Sequence, residues 1–242
     1  MPPAWLLLRH DRLPPAENMA WDEALLEAAA RLGRPLLRFY GWAEPAASFG
    51  YFQKMADVER LTALRPLVRR PTGGGVVPHD ADWTYSAVWP PDDPWYSLRA
   101  IESYRRMHEW IRTAFAETEV PTELAPGRRN VTPGNCFAGA EQFDVLFHGH
   151  KLAGAAQRRT RGGLLIQGSI QPPPGSQRSR FESAMLAVAA KLEPMKSDQS
   201  NASREADDAV TWAEFHPDAG LLERVRELAQ TKYSRAAFNH RR

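Results

Sequence analysis

Two short apolar runs, QFDVLFH at 142–148 and GLLIQGSI at 163–170, bracket the small-residue stretch GHKLAGAAQRRTRG. Apolar runs of this length, bounded by glycine and polar residues, read as β-strands. The glycines and alanines between them let one backbone approach another closely. The pattern predicts antiparallel neighbours with a tight approach, so part of the core must be built on a sheet.

The flanking segments change period. Residues Glu17 to Gly33 place Met19, Leu25, Leu26 and Ala29 at helical steps and end in glycine, which predicts an amphipathic helix. PLLRFYGW and AASFGYF, between Pro35 and Phe52, are apolar and aromatic runs broken by Glu44-Pro45, as strands joined by a turn would be. From Leu98 to Thr118, Ile101, Tyr104, Met107, Ile111 and Phe115 recur at three- and four-residue steps and predict a second helix, with Arg105, Arg106 and Glu109 on its other face. Further helices are expected over Phe181 to Leu192 and from about Asp218 to Lys232, the latter burying Leu221, Leu222, Val225 and Leu228. Between them, residues 195–209 have almost no apolar content and read as a mobile polar loop. Strands near the start and middle with helices between and after them predict an α+β fold, a mixed or antiparallel sheet flanked by helices. A chain of 242 residues is expected to form a single domain over 1–242, with 172–242 as its helical C-terminal part.

Composition narrows the function. With one cysteine the chain cannot form an intramolecular disulfide or a metal site on paired thiolates. The longest apolar run near the start, AWLLL at 4–8, is far short of a membrane span or a signal-peptide core. A cytoplasmic protein that meets no membrane is expected. The net charge of +2 does not argue for nucleic acid. All but five of the 31 basic residues are arginine, however, and Arg69 and Arg70, Arg128 and Arg129, and Arg158, Arg159 and Arg161 form three tight groups. Such groups suit an anionic ligand or an acidic partner surface, or are simply solvated loops.

Four features carry chemistry. RRPTGGGVVPHD has three consecutive glycines, Gly73, Gly74 and Gly75, whose backbone can adopt positive φ and approach a ligand. It fits neither a dinucleotide fingerprint nor a Walker loop, so a tight turn between strands is the alternative. His79-Asp80 reads either as an acid–base pair or as a strand end where the carboxylate satisfies backbone donors. His148 and His150 straddle a glycine and fit a turn better than a ligand set, and no histidine spacing supports a metal. Cys136 is either a small buried hydrophobe or, following Pro133-Gly134-Asn135, a loop nucleophile. A cationic neighbour such as Lys151 would favour its thiolate.

Together, ENMAWDEALLE, LRFYGWAEPAASFGYFQ, RRPTGGGVVPHDADWTYS and GHKLAGAAQRRTRGGLLIQGSI resemble the biotin/lipoate protein ligase and lipoyl/octanoyl transferase family over residues 15–171. The resemblance implies a class II aminoacyl-tRNA synthetase/biotin-ligase-like domain. Cys136-Phe137, with Lys151 fifteen residues beyond the cysteine, is similar to the octanoyltransferases that work through an acyl-cysteine. WTYS at 83–86 leans the same way. That branch implies Cys136 and Lys151 as catalytic residues and Arg70, Gly73, Gly74, Gly75, His79, Gly154 and Ala155 as lining the acyl site. It needs no cofactor, and its partners are an acyl carrier protein or glycine cleavage H protein as donor and a lipoyl-domain protein as acceptor. Gly75 stands where those transferases often carry arginine, and Ile166-Gln167-Gly168 lacks a histidine often found there. These departures keep open an ATP- and Mg-dependent lipoate ligase, and behind it a non-catalytic module that binds lipoyl domains or carriers.

Overall fold

The computed structural model describes residues 4–128, 139–189 and 210–240. Strand β1 (Trp5–Leu13) leads into helix α1 (Pro15–Leu32), followed by β2 (Leu36–Trp42), β3 (Ala46–Phe49), α2 (Met55–Leu61), β4 (Leu67–Arg69), β5 (Val77–His79) and β6 (Trp83–Trp89). A short α3 (Pro94–Ser97) precedes α4 (Ala100–Glu117), and β7 (Glu123–Leu124), β8 (Val145–Phe147), β9 (His150–Thr160) and β10 (Gly163–Ile170) come next. Then follow α5 (Arg178–Ala189), β11 (Trp212–Glu214), α6 (Ala219–Leu228), a π-helical turn (Ala229–Tyr233) and α7 (Ala236–Asn239). One sheet runs in the order β11-β1-β2-β6-β10-β9-β8-β7 and a smaller one in the order β4-β3-β5. Among the described residues pairing is parallel only for β1 with β11, β1 with β2 and β3 with β4, which gives the mixed sheet of the α+β fold that the sequence pattern predicts.

Both bracketing runs form strands, but the expectation that they are antiparallel neighbours is corrected: the small-residue stretch between them is itself a strand that separates them in the sheet. β9 pairs antiparallel with β8 on one side and β10 on the other, with Arg161-Gly162 forming the hairpin turn. Its small side chains suit a central strand that lies under a pocket.

Strict alternation sorts the large sheet into two cores. Leu7, Leu37, Phe39, Ala87, Trp89, Leu164 and Ile166 face α4 and α5, where Trp110, Ile111, Phe115, Phe181 and Met185 complete one layer. Leu6, Leu8, Leu36, Tyr40, Val88 and Leu165 face α1 and α6. Helix α1 is buried on nearly every side, at Asn18, Asp22 and Glu23 as well as Met19, Leu25 and Leu26, because α6 and the π-turn cover the flank left open by the sheet. The prediction of a simple amphipathic helix is corrected accordingly. In α4, Ile101 stays 42% exposed although its spacing marks it as core, and Ser103 and His108 are buried instead.

The α1-side layer holds a charge where alternation calls for an apolar residue. Arg38 on β2 and Asp22 on α1 are both fully buried and joined at 2.7 Å. The guanidinium also donates to His10 Nδ1 and to the Asn18 carbonyl and side chain, and stacks 3.9 Å from the centroid of Tyr40. Asp22 accepts from Ser86 Oγ (2.6 Å), Tyr40 OH (3.0 Å) and Gln167 Nε2 (2.6 Å) as well. Every lone-pair direction of the carboxylate is used, so the desolvation that burial imposes is met by hydrogen bonds from β2, β6 and β10 together.

The C-terminal segment closes the molecule on this side. Glu23 accepts from Lys232 Nζ (2.5 Å) and Tyr233 OH (2.7 Å), and Asn239 Oδ1 takes the Arg69 backbone N–H (2.8 Å). The predicted polar loop at 195–209 lies outside the described residues. Among the described residues no helix is long and apolar enough to cross a membrane.

Replacing Asp22 by alanine strands a buried guanidinium and is expected to cost about 3–5 kcal/mol, read as a lower urea midpoint at unchanged slope. Asp57→Ala removes the exposed partner of Arg60 and is expected to cost less than about 1 kcal/mol. Equal losses for the two variants would contradict the role given to the Asp22–Arg38 pair.

Candidate active site

Beyond the first turn of α1, the same face of the sheet opens into a pocket with about 490 Å³ of empty space, part of it open to solvent. Met19, Tyr40, Trp42, Val77, Ala155 and Ala156 give it apolar walls, while Ser48, Arg70, Thr84, Lys151, Gln167 and Ser169 bring polar atoms to it. Cross-strand register explains the grouping: Gln167 pairs with Ala156 and Ser169 with Gly154, so each pair presents one face. Gln167 is anchored at both ends, donating to Asp22 and accepting from Thr72 Oγ1 at 2.7 Å. The buried network therefore forms one wall of the pocket and ties it to the glycine-rich turn.

That turn, 70–76, arches from β4 to β5. Arg70 braces it from inside, donating to the carbonyls of Gly73 (2.6 Å) and Gly75 (2.8 Å) and to Ser48 Oγ (3.2 Å). Of the three glycines only Gly74 has positive φ, at 90°, and only Gly74 lines the pocket. Its carbonyl lies 1.9 Å from where a Cβ on Gly50 would sit, so the two loops touch backbone to backbone. Arg69 is buried under carbonyls of Tyr51, Gln53, Phe238 and Asn239. The expectation that Arg69 and Arg70 offer a surface to an acidic partner is therefore corrected: both guanidiniums are spent on backbone carbonyls within the fold. Arg159 likewise donates to the Tyr96 carbonyl and Ser103, Arg158 faces Glu23 at 3.6 Å, and Arg128 pairs with Glu141 at 3.3 Å, while Arg161 is exposed.

His79 has a carboxylate partner, but it is Asp82 and not the adjacent, exposed Asp80. Nδ1 lies 2.8 Å from Asp82 Oδ2, Nε2 lies 2.8 Å from Ser48 Oγ, and the ring stacks 3.8 Å from Trp42. Thr84 and Ser169 also donate to Asp82 Oδ2, at 2.9 and 2.6 Å. Burial works against the Asp82 charge, yet His79 and these hydrogen bonds outweigh it and hold the carboxyl below its ordinary range.

Lys151 stands at the opposite wall. A register slip, with Val145 opposite Ala153 but Leu146 opposite Lys151, re-aims its side chain. It forms a 2.7 Å ion pair with the buried Asp144, which also accepts from Tyr104 OH and the Glu141 N–H. Burial pushes the Asp144 carboxyl up, and Lys151, Tyr104 and Glu141 offset only part of this. A Cβ on Gly154 would fall 2.5 Å from Lys151 Cε and 2.6 Å from Nζ, so glycine there is what leaves room for the ammonium. Burial, then the nearby Lys151 charge, depress the His108 imidazole to about 3, against a weaker opposite pull from the Tyr104 carbonyl.

The structure thus brings Arg70, Gly74, His79, Lys151, Gly154 and Ala155 to one pocket, while Gly73 and Gly75 serve it only through Arg70. Cys136, with Phe137, lies outside the described residues. Ser48, Asp82, Asp144, Tyr104 and Gln167 were not anticipated as site groups. Asp144 within QFDVLF is the one whose sequence carries a signal, a charge inside an apolar run.

The family model for the lipoyl protein ligase A/B catalytic domain matches residues 14–207. The chain belongs to that family. It is 39% identical over 179 residues to an octanoyltransferase LipM of Exiguobacterium sp., covering 69% of this chain and 65% of that protein. The LipM of Symbiobacterium thermophilum gives the same identity and length of match, over 64% of its own chain. The match thus spans just under two thirds of these relatives. Among solved structures, lipoate-protein ligase A bound with ATP superposes with a TM-score of 0.74 at 20% identity, over 98% of this chain and 99% of that one. Protein Ta0514 of T. acidophilum with bound lipoic acid does so at 0.74 and 19%, over 99% and 100%. Identities this low speak for the fold, which is that of the lipoate ligases.

Neutral, buried His108 has a folded pKa below its unfolded value of about 6.5, so it destabilises the fold only as acid is added. Stability is expected to fall between about pH 6.5 and pH 3, and His108→Leu should lose less than wild type across that window while matching its pH dependence above 7. Parallel losses in urea melts at pH 4 and 7 would contradict the assignment.

Proposed function

We propose that this chain is a protein acyltransferase of lipoate metabolism, moving an octanoyl group from a carrier-protein thioester to a lysine of a lipoyl-domain protein. The observation that carries the reading is the placement of Lys151, ion-paired to Asp144 and passing over Gly154, at the wall of a pocket that also offers the apolar surfaces of Met19, Tyr40, Trp42, Val77 and Ala155. Octanoyltransferase relatives suggest the acyl group, and the resemblance of Cys136-Phe137 and Lys151 to the transferases that work through an acyl-cysteine suggests the nucleophile.

In this reading Cys136 Sγ attacks the thioester carbonyl, the carrier thiol leaves with a proton, and an acyl-cysteine remains. The ε-amine of the acceptor lysine then attacks that carbonyl, forming the amide and returning the cysteine thiol. Lys151 favours the thiolate and moves the protons. Two acyl exchanges at one sulfur need no ATP, because the thioester arrives activated. The acyl chain lies along Met19, Tyr40, Trp42, Val77 and Ala155, with Gly74 of the braced turn over it. An acyl carrier protein or glycine cleavage H protein is the donor.

The test is transfer from octanoyl carrier protein to a lipoyl domain without nucleotide. Wild type should octanoylate the acceptor. Gly154→Ala should slow transfer on the order of 100-fold, since it displaces the end of a flexible lysine that must be positioned, with little change in melting temperature. Transfer that requires ATP and free acid would replace this reading by the adenylating ligase.

A further inference from the structure

Ser48, His79 and Asp82 form a continuous hydrogen-bonded chain along the pocket, unused by the mechanism above. Their separations, 2.8 Å from Oγ to Nε2 and 2.8 Å from Nδ1 to Oδ2, are those of a serine nucleophile, its base and the carboxylate that orients it. The proton count points the same way. Asp82, accepting also from Thr84 and Ser169, faces Nδ1 as an acceptor, and in the neutral tautomer that carries its proton on Nδ1, Nε2 accepts from the Ser48 hydroxyl. Stacking on Trp42 holds the ring in that plane, and the Trp42 indole is held in turn by a 2.8 Å bond to Thr84 Oγ1. Ser48 Oγ then has two lone pairs; one accepts from Arg70 and one is left for an electrophile. Both Ser48 and His79 line the pocket.

We infer that Ser48 is a second nucleophile in the acyl pocket, activated by His79 and Asp82, and that it gives the chain a hydrolase activity toward medium-chain acyl esters and thioesters. Oγ attacks the carbonyl carbon while its proton passes to His79 Nε2, with Arg70, 3.2 Å from Oγ, as the cation nearest the nucleophile. The tetrahedral adduct collapses with cleavage of the C–O or C–S bond, and the leaving group takes the proton from Nε2. Water then attacks the acyl-serine, His79 accepts its proton and returns it to Ser48 Oγ, and the carboxylic acid departs. Such an activity would clear acyl groups that enter the pocket without a lysine acceptor to receive them.

The inference borrows from the proposed function only the choice of an eight-carbon chain. It is tested in Cys136→Ala protein, so that no thiol can take up acyl. The probes are an octyl fluorophosphonate and p-nitrophenyl octanoate. Peptide mapping is expected to place a single phosphonyl adduct on Ser48, and adding Ser48→Ala should lower ester hydrolysis at least 30-fold. Mapping needs only the serine-containing protein, so the test stands even if Ser48→Ala fails to fold. Diisopropyl fluorophosphate, which needs no acyl groove, is the second probe. Labelling of Ser48 by it alone would support the nucleophile and count against the eight-carbon pocket. Absence of a Ser48 adduct with both probes, or hydrolysis unchanged in a folded Ser48→Ala protein, would overturn the inference.

Discussion

The buried pair of Arg38 and Asp22 organises the layer from which the pocket is made. A charge in the middle of a sheet face is stable only when every polar atom around it is supplied, and here the supply comes from α1, β2, β6 and β10 at once. Those elements can satisfy the pair in one register only, because a slip of one residue on any strand would turn its donor to the other core. The pair thus fixes the relative placement of the three strands and the helix that surround the pocket.

From that pair the polar character of the face rises step by step. Leu36, Val88 and Leu165 lie beneath α1 as ordinary core. Arg38, Ser86 and Gln167 follow one pleat further along, and beyond them Tyr40, Thr84 and Ser169 reach the open pocket. The glycine-rich turn is tied to this gradient through Thr72 and Gln167 and is stiffened by Arg70. A pocket with apolar walls and a few anchored polar groups is the arrangement that suits an acyl chain with a reactive carbonyl at one end. On the far wall Lys151 is held by a carboxylate that burial keeps reluctant to ionise, which places a proton-bearing group and its acceptor side by side.

Much of this was legible in the residues. The runs at 142–148 and 163–170 gave two strands, β8 and β10, though not the β9 that separates them, and the helical steps from Leu98 to Thr118 gave α4 within two residues at its N-terminus. Periodicity failed where long-range packing decides: Ile101 matches the spacing yet faces outward, and α1 is buried on its polar flank because Glu23 meets Lys232 and Tyr233 more than two hundred residues away. For the site, the motifs named Lys151, Gly154, Arg70 and His79, but not what each touches. The Asp82 partner of His79 is one strand turn beyond the obvious Asp80, and Ser48 is an unremarkable residue in AASFG until β3 and β5 pair. At Arg69 and Arg70 arginine clustering misled, since chain position cannot tell a guanidinium that braces carbonyls from one that faces outward.

The central claim, proposed above, is that acyl groups pass through this chain covalently, on Cys136, with Lys151 moving the protons. Its most direct measurement is the intact mass of wild type and Cys136→Ser after mixing with octanoyl carrier protein in the absence of ATP. The account predicts a gain of one octanoyl group in wild type that maps to Cys136 and is missing from the peptide in Cys136→Ser. No adduct at Cys136, together with lipoyl-domain modification once ATP and free octanoate are supplied, would contradict it.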